Sequence, residues 1–374
     1  MKGSVTFFDS YSDASGGAPK SMLTLASLLD ELNYIVSIHT ARKGSLYKKA
    51  QKNGLDTFSF DLDEILMVRR GKQNISIMFI LNYFVSLARS WAKCFKYIRT
   101  IKNSKVCFND IRCFLYFFPI AVFKRKDLIW YVRINDRVNF VTWFAGRISN
   151  KILLVSSSCR DMFTAKELES YSSKMCVVHT GFPVEKENDF IRLPKIKLGF
   201  IGVLSARKNI ELLMNAVNLL DNPTLESIEV IVVGEAKLDE KDYEKNIKNK
   251  VHELGLNEVF KFVGHTTNVH EYYSQIDSVV LTSFSEGLPR VLIEGLSHGC
   301  FVITTNVDGV GDIITDDYLG IILNRYSDVE LAKSITKYVF NRDKYLLSRG
   351  RRRRYVADNF SEEKFVNNFI NSVW

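Results

Sequence analysis

Cysteine is scarce and unpaired in this 374-residue chain: Cys94, Cys107, Cys113, Cys159, Cys176 and Cys300 form no C-x-x-C pair. That excludes a zinc ribbon and a dense disulfide framework, and it predicts a reducing compartment. Only 6 Pro and 20 Gly are present, which excludes collagenous and proline-rich disordered architectures. The histidines make no metal-ligand cluster: His265 and His270 are five apart and His298 stands in Ser297-His298-Gly299, so no metal site is expected. Asp61-Leu62-Asp63 lies far from any phosphate-binding loop and reads as a surface pair. No apolar stretch reaches the ~20 residues of a membrane span. Ile75 to Ala88 is interrupted by Ser76, Asn82 and Ser86, and Cys113 to Phe123 by Pro119. The start, Met1 to Asp9, lacks the apolar stretch and small-residue cleavage site of a signal peptide. The chain is therefore expected in the cytoplasm.

What is present is an ordinary globular composition, 46% apolar and 25% charged, in a length that fits about two domains. The net charge of +9 is one-sided: residues 1–193 carry +12 and residues 194–374 carry −3. A basic first half predicts a polyanionic partner such as an anionic membrane leaflet or phosphorylated lipid. The stretch from Ile75 continues into Arg89, Trp91, Lys93, Lys96, Tyr97, Arg99 and Lys102, a mixture able to lie flat at the inner face of a membrane. Nucleic acid is not expected, because no recognition motif accompanies the charge. The run Arg349 to Arg354 reads as a solvated or membrane-facing helix face.

Short β-branched runs alternate with helical lengths in both halves, which predicts an α/β protein with two doubly wound parallel sheets. The expected strands are Ser4–Asp9, Ile35–Thr40, Thr57–Phe60, Lys105–Asn109, Leu128–Arg133, Lys151–Ser156 and Met175–His179. In the second half they are Lys197–Gly202, Glu229–Gly234, Val259–Val263, Ser278–Thr282, Phe301–Thr305 and Gly320–Leu323. A polar stretch bounded by prolines predicts domains at 1–183 and 196–355 with a linker at 184–195. Ligands are then expected in a cleft walled by the loops after the strands.

Those loops hold the chemistry. Gly16 and Gly17 precede a helical pattern, where backbone can approach an anion closely. This is no G-x-G-x-x-G fingerprint, so no nicotinamide or flavin cofactor is implied. In the second half, Gly202-Val203-Leu204-Ser205-Ala206-Arg207-Lys208-Asn209 sets two cations before a helix, a pairing suited to a diphosphate. Most specific is Glu286-Gly287-Leu288-Pro289-Arg290-Val291-Leu292-Ile293-Glu294, two carboxylates eight residues apart across a turn into a helix.

The Glu-x7-Glu pair with Lys208 in Gly-x-Leu-x-x-x-Lys-Asn resembles the retaining family 4 glycosyltransferases of GT-B fold. Gly255-Leu256, Val259 to His265, Tyr272-Tyr273, Asp277 and Gly309-Val310-Gly311-Asp312 follow the same order. The resemblance covers roughly residues 198–325. It implies two Rossmann-like domains facing across a cleft, the first binding acceptor and the second the nucleotide-sugar donor. A last helix, 356–374, would cross back to the first domain, packing Phe360, Phe365, Val366, Phe369, Ile370 and Trp374 there.

By the same resemblance, Glu286 binds the donor sugar, Lys208 the diphosphate and Glu294 the ribose hydroxyls. Gly287, Leu288, Pro289, Arg290 and Val291 cradle the donor, while Val263, Gly264 and His265 contact the base. Gly16 and Gly17 close over the phosphates. No cofactor or metal is implied.

Two departures stand out. Relatives often carry Arg where this chain has Val203, and Arg207 is the candidate to replace it. Relatives also place a His-Asp pair after a first-domain strand, where this chain reads Arg133-Ile134-Asn135-Asp136. Asn135-Asp136 and Arg133 are the two candidates for that slot, near the acceptor or at a phosphate.

The implied function is hexosyl transfer from a nucleotide-diphosphate sugar to a glycan or polyprenyl-diphosphate-linked acceptor. Its setting would be O-antigen, lipopolysaccharide or capsule biosynthesis, by a cytoplasmic, peripheral-membrane enzyme. The alternatives are a regulatory subunit that binds nucleotide-sugar without turnover and a non-hydrolysing nucleotide-sugar epimerase.

Overall fold

The computed structural model describes residues 2–14, 16–67, 76–184 and 192–374. Ser15, Ile75 and residues 185–191 of the expected linker lie outside the described residues. The chain divides into two compact units, Met1–Gly181 with Glu362–Trp374, and Phe182–Ser361.

The first unit holds a seven-stranded sheet of β1 (Ser4–Asp9), β2 (Ile35–Thr40), β3 (Asp56–Ser59), β4 (Lys105–Phe108), β5 (Leu128–Val132), β6 (Lys151–Leu154) and β7 (Met175–Val177). Its order is β3-β2-β1-β4-β5-β6-β7, and each pairing is parallel. The order reverses at β1 and β4, so a crevice is expected beyond their carboxyl ends. Strand β5 is buried at every residue, as expected of a sheet covered by helices on both faces.

The second unit holds β8 (Ile196–Ile201), β9 (Ile228–Val233), β10 (Phe260–Gly264), β11 (Ser278–Leu281), β12 (Phe301–Thr305) and β13 (Gly320–Leu323). They run in the order β10-β9-β8-β11-β12-β13, with the reversal at β8 and β11. Its core gathers Leu198, Phe200, Val230, Val232, Val280, Phe301 and Ile303 from the sheet with Leu213, Ile335 and Tyr338 from the helices. Asp277 is a fixture of this fold. Its carboxylate accepts from Arg342 Nε at 3.0 Å and from the Lys197 amide at 2.9 Å.

Each of the thirteen expected strands is found among the described residues, with ends that differ by a residue or two. The unit boundaries fall at Gly181 and Ser361 rather than at 183 and 355. The reason is local: the Phe182 amide donates to Phe360 O at 2.8 Å. Phe360 accordingly closes the Arg349–Phe360 helix in the second unit, not the last helix. Only Glu362–Val373 packs in the first unit, where Phe369 meets the Phe7 ring at 5.9 Å and Trp374 meets Tyr34 at 4.8 Å.

The arginine run also departs from expectation. Arg351 and Arg354 are exposed, but Arg349 and Arg352 are buried. Arg349 donates to His298 O at 2.8 Å; Arg352 donates to Gly299 O at 2.9 Å, Tyr318 O at 2.9 Å and Tyr345 O at 2.7 Å. His298 and Gly299 end the Arg290–Ser297 helix, so the two cations satisfy carbonyls at its negative end. Burial pulls the Arg352 guanidinium down to about 10, which leaves it charged at neutral pH. Arg352→Ala removes three hydrogen bonds to carbonyls, of which Tyr345 O alone keeps a second donor, the Ser348 amide at 3.1 Å, and should cost about 3 kcal/mol. Arg351→Ala, which loses only a cation–π contact with Tyr318, should stay within about 1 kcal/mol. Guanidinium chloride unfolding of the two variants checks this.

Candidate functional site

In the second unit, two loops at the carboxyl ends of adjacent strands are sewn together by main-chain contacts. After β8 the chain makes a tight turn at Ala206–Lys208, and Asn209 takes a left-handed conformation that starts the Ile210–Asn218 helix. After β11, Thr282 Oγ1 donates to Lys208 O at 3.0 Å and the Phe284 amide donates to Arg207 O at 2.9 Å. This registration sets Lys208 opposite Glu286. Lys208 Nζ lies 2.7 Å from Glu286 Oε1, and Arg207 Nη1 lies 3.2 Å from the same oxygen.

Lys208 and Glu286 are 13% and 12% exposed, whereas Arg207 is 51% exposed. Burial pushes the Glu286 carboxyl up, but Lys208 and Arg207 outweigh it and hold the group below its usual value. Glu286 is thus an anion at neutral pH. Arg207, named as a replacement for the cation absent at Val203, reaches the same carboxylate as Lys208.

Gly287, Leu288 and Pro289 carry the chain from Glu286 into the Arg290–Ser297 helix, whose start no side chain caps. Leu288, Pro289 and Val291 are buried, so they offer main chain alone to a ligand. The turn is braced from behind by Gly309. With φ +76°, a Cβ there would stand 2.5 Å from Gly287 O and 3.0 Å from Leu288 Cα.

One helical stretch beyond, Glu294 accepts from Tyr273 Oη at 2.9 Å and pairs with Arg290 at 3.4 Å. Arg290 itself lies over the Phe182 ring at 4.5 Å. Burial and the Glu294 charge push the Tyr273 hydroxyl well up, so it remains a donor that aims the carboxylate.

The expected base-contacting segment, Val263-Gly264-His265, begins at an irregularity in β10 between Phe262 and Gly264. Gly264 O accepts from the Gly234 amide at 2.8 Å. Gly234 in turn leaves no room for a side chain, since its Cβ would fall 2.0 Å from Gly202 O. At Gly264, by contrast, nothing lies within 4 Å of where a Cβ would stand, so the main chain there is open. Sequence reasoning missed Gly234 and Thr282. The first had a signal, because Gly234 closes a β-branched run as Gly202 does; Thr282 had none.

The first-unit candidates separate. Gly16 caps the Gly17–Glu31 helix through main chain only. Arg133 is drawn into a polar network with Asn109 and Ser21. Asn135 is half-buried and Asp136 exposed on the loop that follows β5. The neighbouring Arg137 is structural, paired with Glu167 of a capping box at 2.7 Å. Asp63 of the surface pair binds Arg89 at 3.4 Å. Among the described residues no three His, Cys, Asp or Glu gather as metal donors.

Comparison with known proteins decides what this edge belongs to. Residues 182–354 match the family model described as glycosyl transferases group 1. This stretch, a little under half of the chain, is similar to the group 1 glycosyltransferases. The chain is similar to a Staphylococcus aureus protein named capsular polysaccharide biosynthesis glycosyltransferase CapH, at 25% identity over 78% of each chain. A shorter match, 31% over 36% of each chain, is to a Campylobacter jejuni N-acetylgalactosaminyltransferase named for a diNAcBac-PP-undecaprenol glycan. Among solved structures, Anabaena HepE in complex with UDP superposes at a TM-score of 0.79, covering 99% of both chains at 16% identity. The fold is GT-B, built from two Rossmann-like sheets.

The brace behind the Glu286 turn is testable. Gly309→Ala should cost about 1–3 kcal/mol through its left-handed backbone alone, with further loss from the contact with Gly287. Gly311→Ala, where nothing lies within 4 Å, should be neutral or slightly stabilising. Thermal unfolding of the two single variants distinguishes them.

Proposed function

We propose that this chain moves a hexosyl group from a nucleotide-diphosphate sugar to a glycan or polyprenyl-diphosphate-linked acceptor, with retained anomeric configuration and without a metal. The setting is bacterial cell-surface polysaccharide assembly, of capsule, O-antigen or lipopolysaccharide type, which the names of the CapH and Campylobacter relatives support. The observation that carries the reading is the Lys208–Glu286 pair with Arg207 beside it. Breaking the bond from the sugar's anomeric carbon to phosphate leaves negative charge on the diphosphate and positive charge on the ring. Lys208 and Arg207 offset the first. Glu286 holds the sugar, its negative charge favouring the cationic ring, and Glu294 takes the ribose hydroxyls. The acceptor oxygen forms the new bond on the face the phosphate leaves, and its proton passes to a phosphate oxygen, so the protein supplies no base. His265, Gly264 and Val263 hold the nucleotide base along the open main chain.

We place the enzyme at an anionic leaflet, in keeping with a lipid-linked acceptor. The support is the Ile77–Tyr97 helix, which buries Ser86, Leu87, Ser90 and Cys94 on one side. Met78, Leu81, Val85, Ala88, Ala92 and Phe95 recur at three- and four-residue spacing on the other side, all exposed. Phe95 and Phe123 form an outward ring pair at 5.9 Å, beside exposed Lys96, Arg99, Lys102, Arg125 and Lys126. An outward apolar stripe with a basic margin is the pattern of a helix lying in an anionic interface. Lys93, counted with these cations in the sequence, instead donates to Phe60 O at 2.7 Å and Asp61 O at 3.0 Å. Among the described residues no helix is long and apolar enough to cross a membrane.

Two experiments test the proposal. Purified protein assayed in EDTA with a nucleotide-sugar panel and a lipid-linked acceptor extract should turn over one donor. Glu286→Ala and Lys208→Ala should each lower kcat/KM about a hundredfold or more. Binding of donors with no turnover by any acceptor would replace the enzyme by a binding subunit. In co-sedimentation with phosphatidylglycerol vesicles, Lys96→Glu/Arg99→Glu should lose most binding, and an unchanged bound fraction would remove the helix from the account.

A further inference from the structure

In the second unit, the chain leaving β11 and the chain leaving β13 each present an aromatic ring that the core does not take up. Phe284 stands two residues before Glu286 and is 57% exposed. Tyr326 stands three residues beyond the end of β13 and is 46% exposed. Their rings stack with 5.6 Å between centroids and 25° between planes, the offset arrangement that aromatic pairs prefer.

A lone aromatic side chain on a loose loop would mean little, but this pair is fixed at both of its roots. On the Tyr326 side, the Glu330 carboxylate accepts the Asn324 amide at 2.7 Å and the Arg325 amide at 3.1 Å. The Ser327 side chain accepts the Glu330 amide at the start of the Asp328–Phe340 helix, so Tyr326 is held between pinned neighbours. Its hydroxyl donates to Ser283 O at 3.2 Å and Phe284 O at 3.3 Å. Ser283 O also accepts from Thr305 Oγ1 at 2.9 Å, at the end of β12. On the Phe284 side, the Phe284 amide donates to Arg207 O, and Arg207 Nη1 reaches both Ser285 O and Glu286 Oε1. The arginine that joins the Lys208–Glu286 pair therefore also fixes the loop that bears Phe284.

What this framework leaves to solvent is ring. Phe284 has no polar side-chain atom, and Tyr326 directs its hydroxyl hydrogen to carbonyls. An aromatic face that is immobile before a ligand arrives gives up little conformational entropy on binding. Its negative quadrupole favours a partner that is apolar and slightly positive on one face. A pyranose ring has that character: its axial C–H groups form such a face, while its hydroxyls stay at the rim. Position then selects which ring. Two residues of chain span at most about 7 Å, so a sugar stacked on Phe284 lies about one pyranose width from a sugar held by Glu286. The main-chain cradle of Gly287, Leu288 and Pro289 leaves Glu286 in the opposite chain direction.

We propose that Phe284 and Tyr326 form a stacking platform for a sugar ring of the glycan acceptor, beside the donor sugar. This rests on the transferase reading above, and it narrows the acceptor from a bare polyprenyl diphosphate to one that already carries a sugar.

The test uses the full chain and needs no turnover, so it is read separately from the transferase assay. Saturation-transfer-difference NMR with methyl α-D-glucopyranoside, methyl α-D-galactopyranoside and methyl N-acetyl-α-D-glucosaminide should show at least one bound to wild type, with saturation concentrated on the C–H groups of one ring face. Phe284→Ala and Tyr326→Ala should each weaken that binding about tenfold. Phe284→Trp should bind at least as well as wild type, which a merely structural role for the ring would not produce. Isothermal titration with UDP and GDP should give the alanine variants the wild-type affinity within about twofold for whichever nucleotide binds, which also shows that they fold. Glu286→Gln should keep the glycoside signal. No binding of any of the three glycosides to wild type, or an unchanged signal in both alanine variants, overturns the platform. A tenfold loss of nucleotide affinity in Phe284→Ala gives the rings to the donor's base, and loss of the glycoside signal in Glu286→Gln gives the bound ring to the donor-sugar position; either overturns the acceptor assignment.

Discussion

The Lys208–Glu286 pair is the constraint around which the second unit is organised. Taking both charges largely out of water costs several kcal/mol per ion, and only close geometry recovers it. That geometry is supplied by main chain: Thr282 and Phe284 hold the loop that carries Lys208 against the loop that carries Glu286. The two loops meet because β8 and β11 are neighbours, at the point where the strand order reverses. A third charge, Arg207, completes a cluster with excess positive potential facing solvent.

The Arg290–Ser297 helix extends this arrangement in a direction set at both of its ends. At its start, Gly309 lets the Glu286 turn pass within contact distance. At its finish, Arg349 and Arg352 bind the carbonyls of His298 and Gly299. Glu294 lies midway, aimed by Tyr273 and Arg290. An arginine-rich segment that reads as surface is thus part of what holds a candidate substrate carboxylate in place. The energetics favour this use, because a guanidinium with five donors can satisfy several helix-end carbonyls at once.

The first unit is built on the same sheet plan but places its polar groups differently. Its reversal point holds a buried chain of carboxylate, amide and guanidinium rather than a direct ion pair. Its Ile77–Tyr97 helix turns an apolar stripe outward, contrary to the usual burial of apolar surface. The two units thus share a sheet plan and differ in where they place their polar and apolar groups.

Much of this could be read along the chain. Alternating β-branched runs and helical periods mark thirteen strands and two doubly wound sheets, because parallel sheets need exactly such local alternation of periods. Glu286, Glu294 and Lys208 stood out as candidates through their resemblance to a family motif; the structure brings Lys208 to Glu286 and sets Glu294 on the helix that follows. What the linear order could not convey was contact between distant segments. Arg349 and Arg352 look solvated in a run of cations until folding brings them to a helix end some fifty residues earlier in the chain. Gly234, Thr282 and Gly309 acquire meaning only from the main chain pressed against them. Asp9 and Asn109, a hundred residues apart in sequence, are ordinary strand-end residues until three strands align them with Arg133. Local periodicity is a property of neighbours in the chain; burial, close approach and charge pairing are properties of neighbours in space.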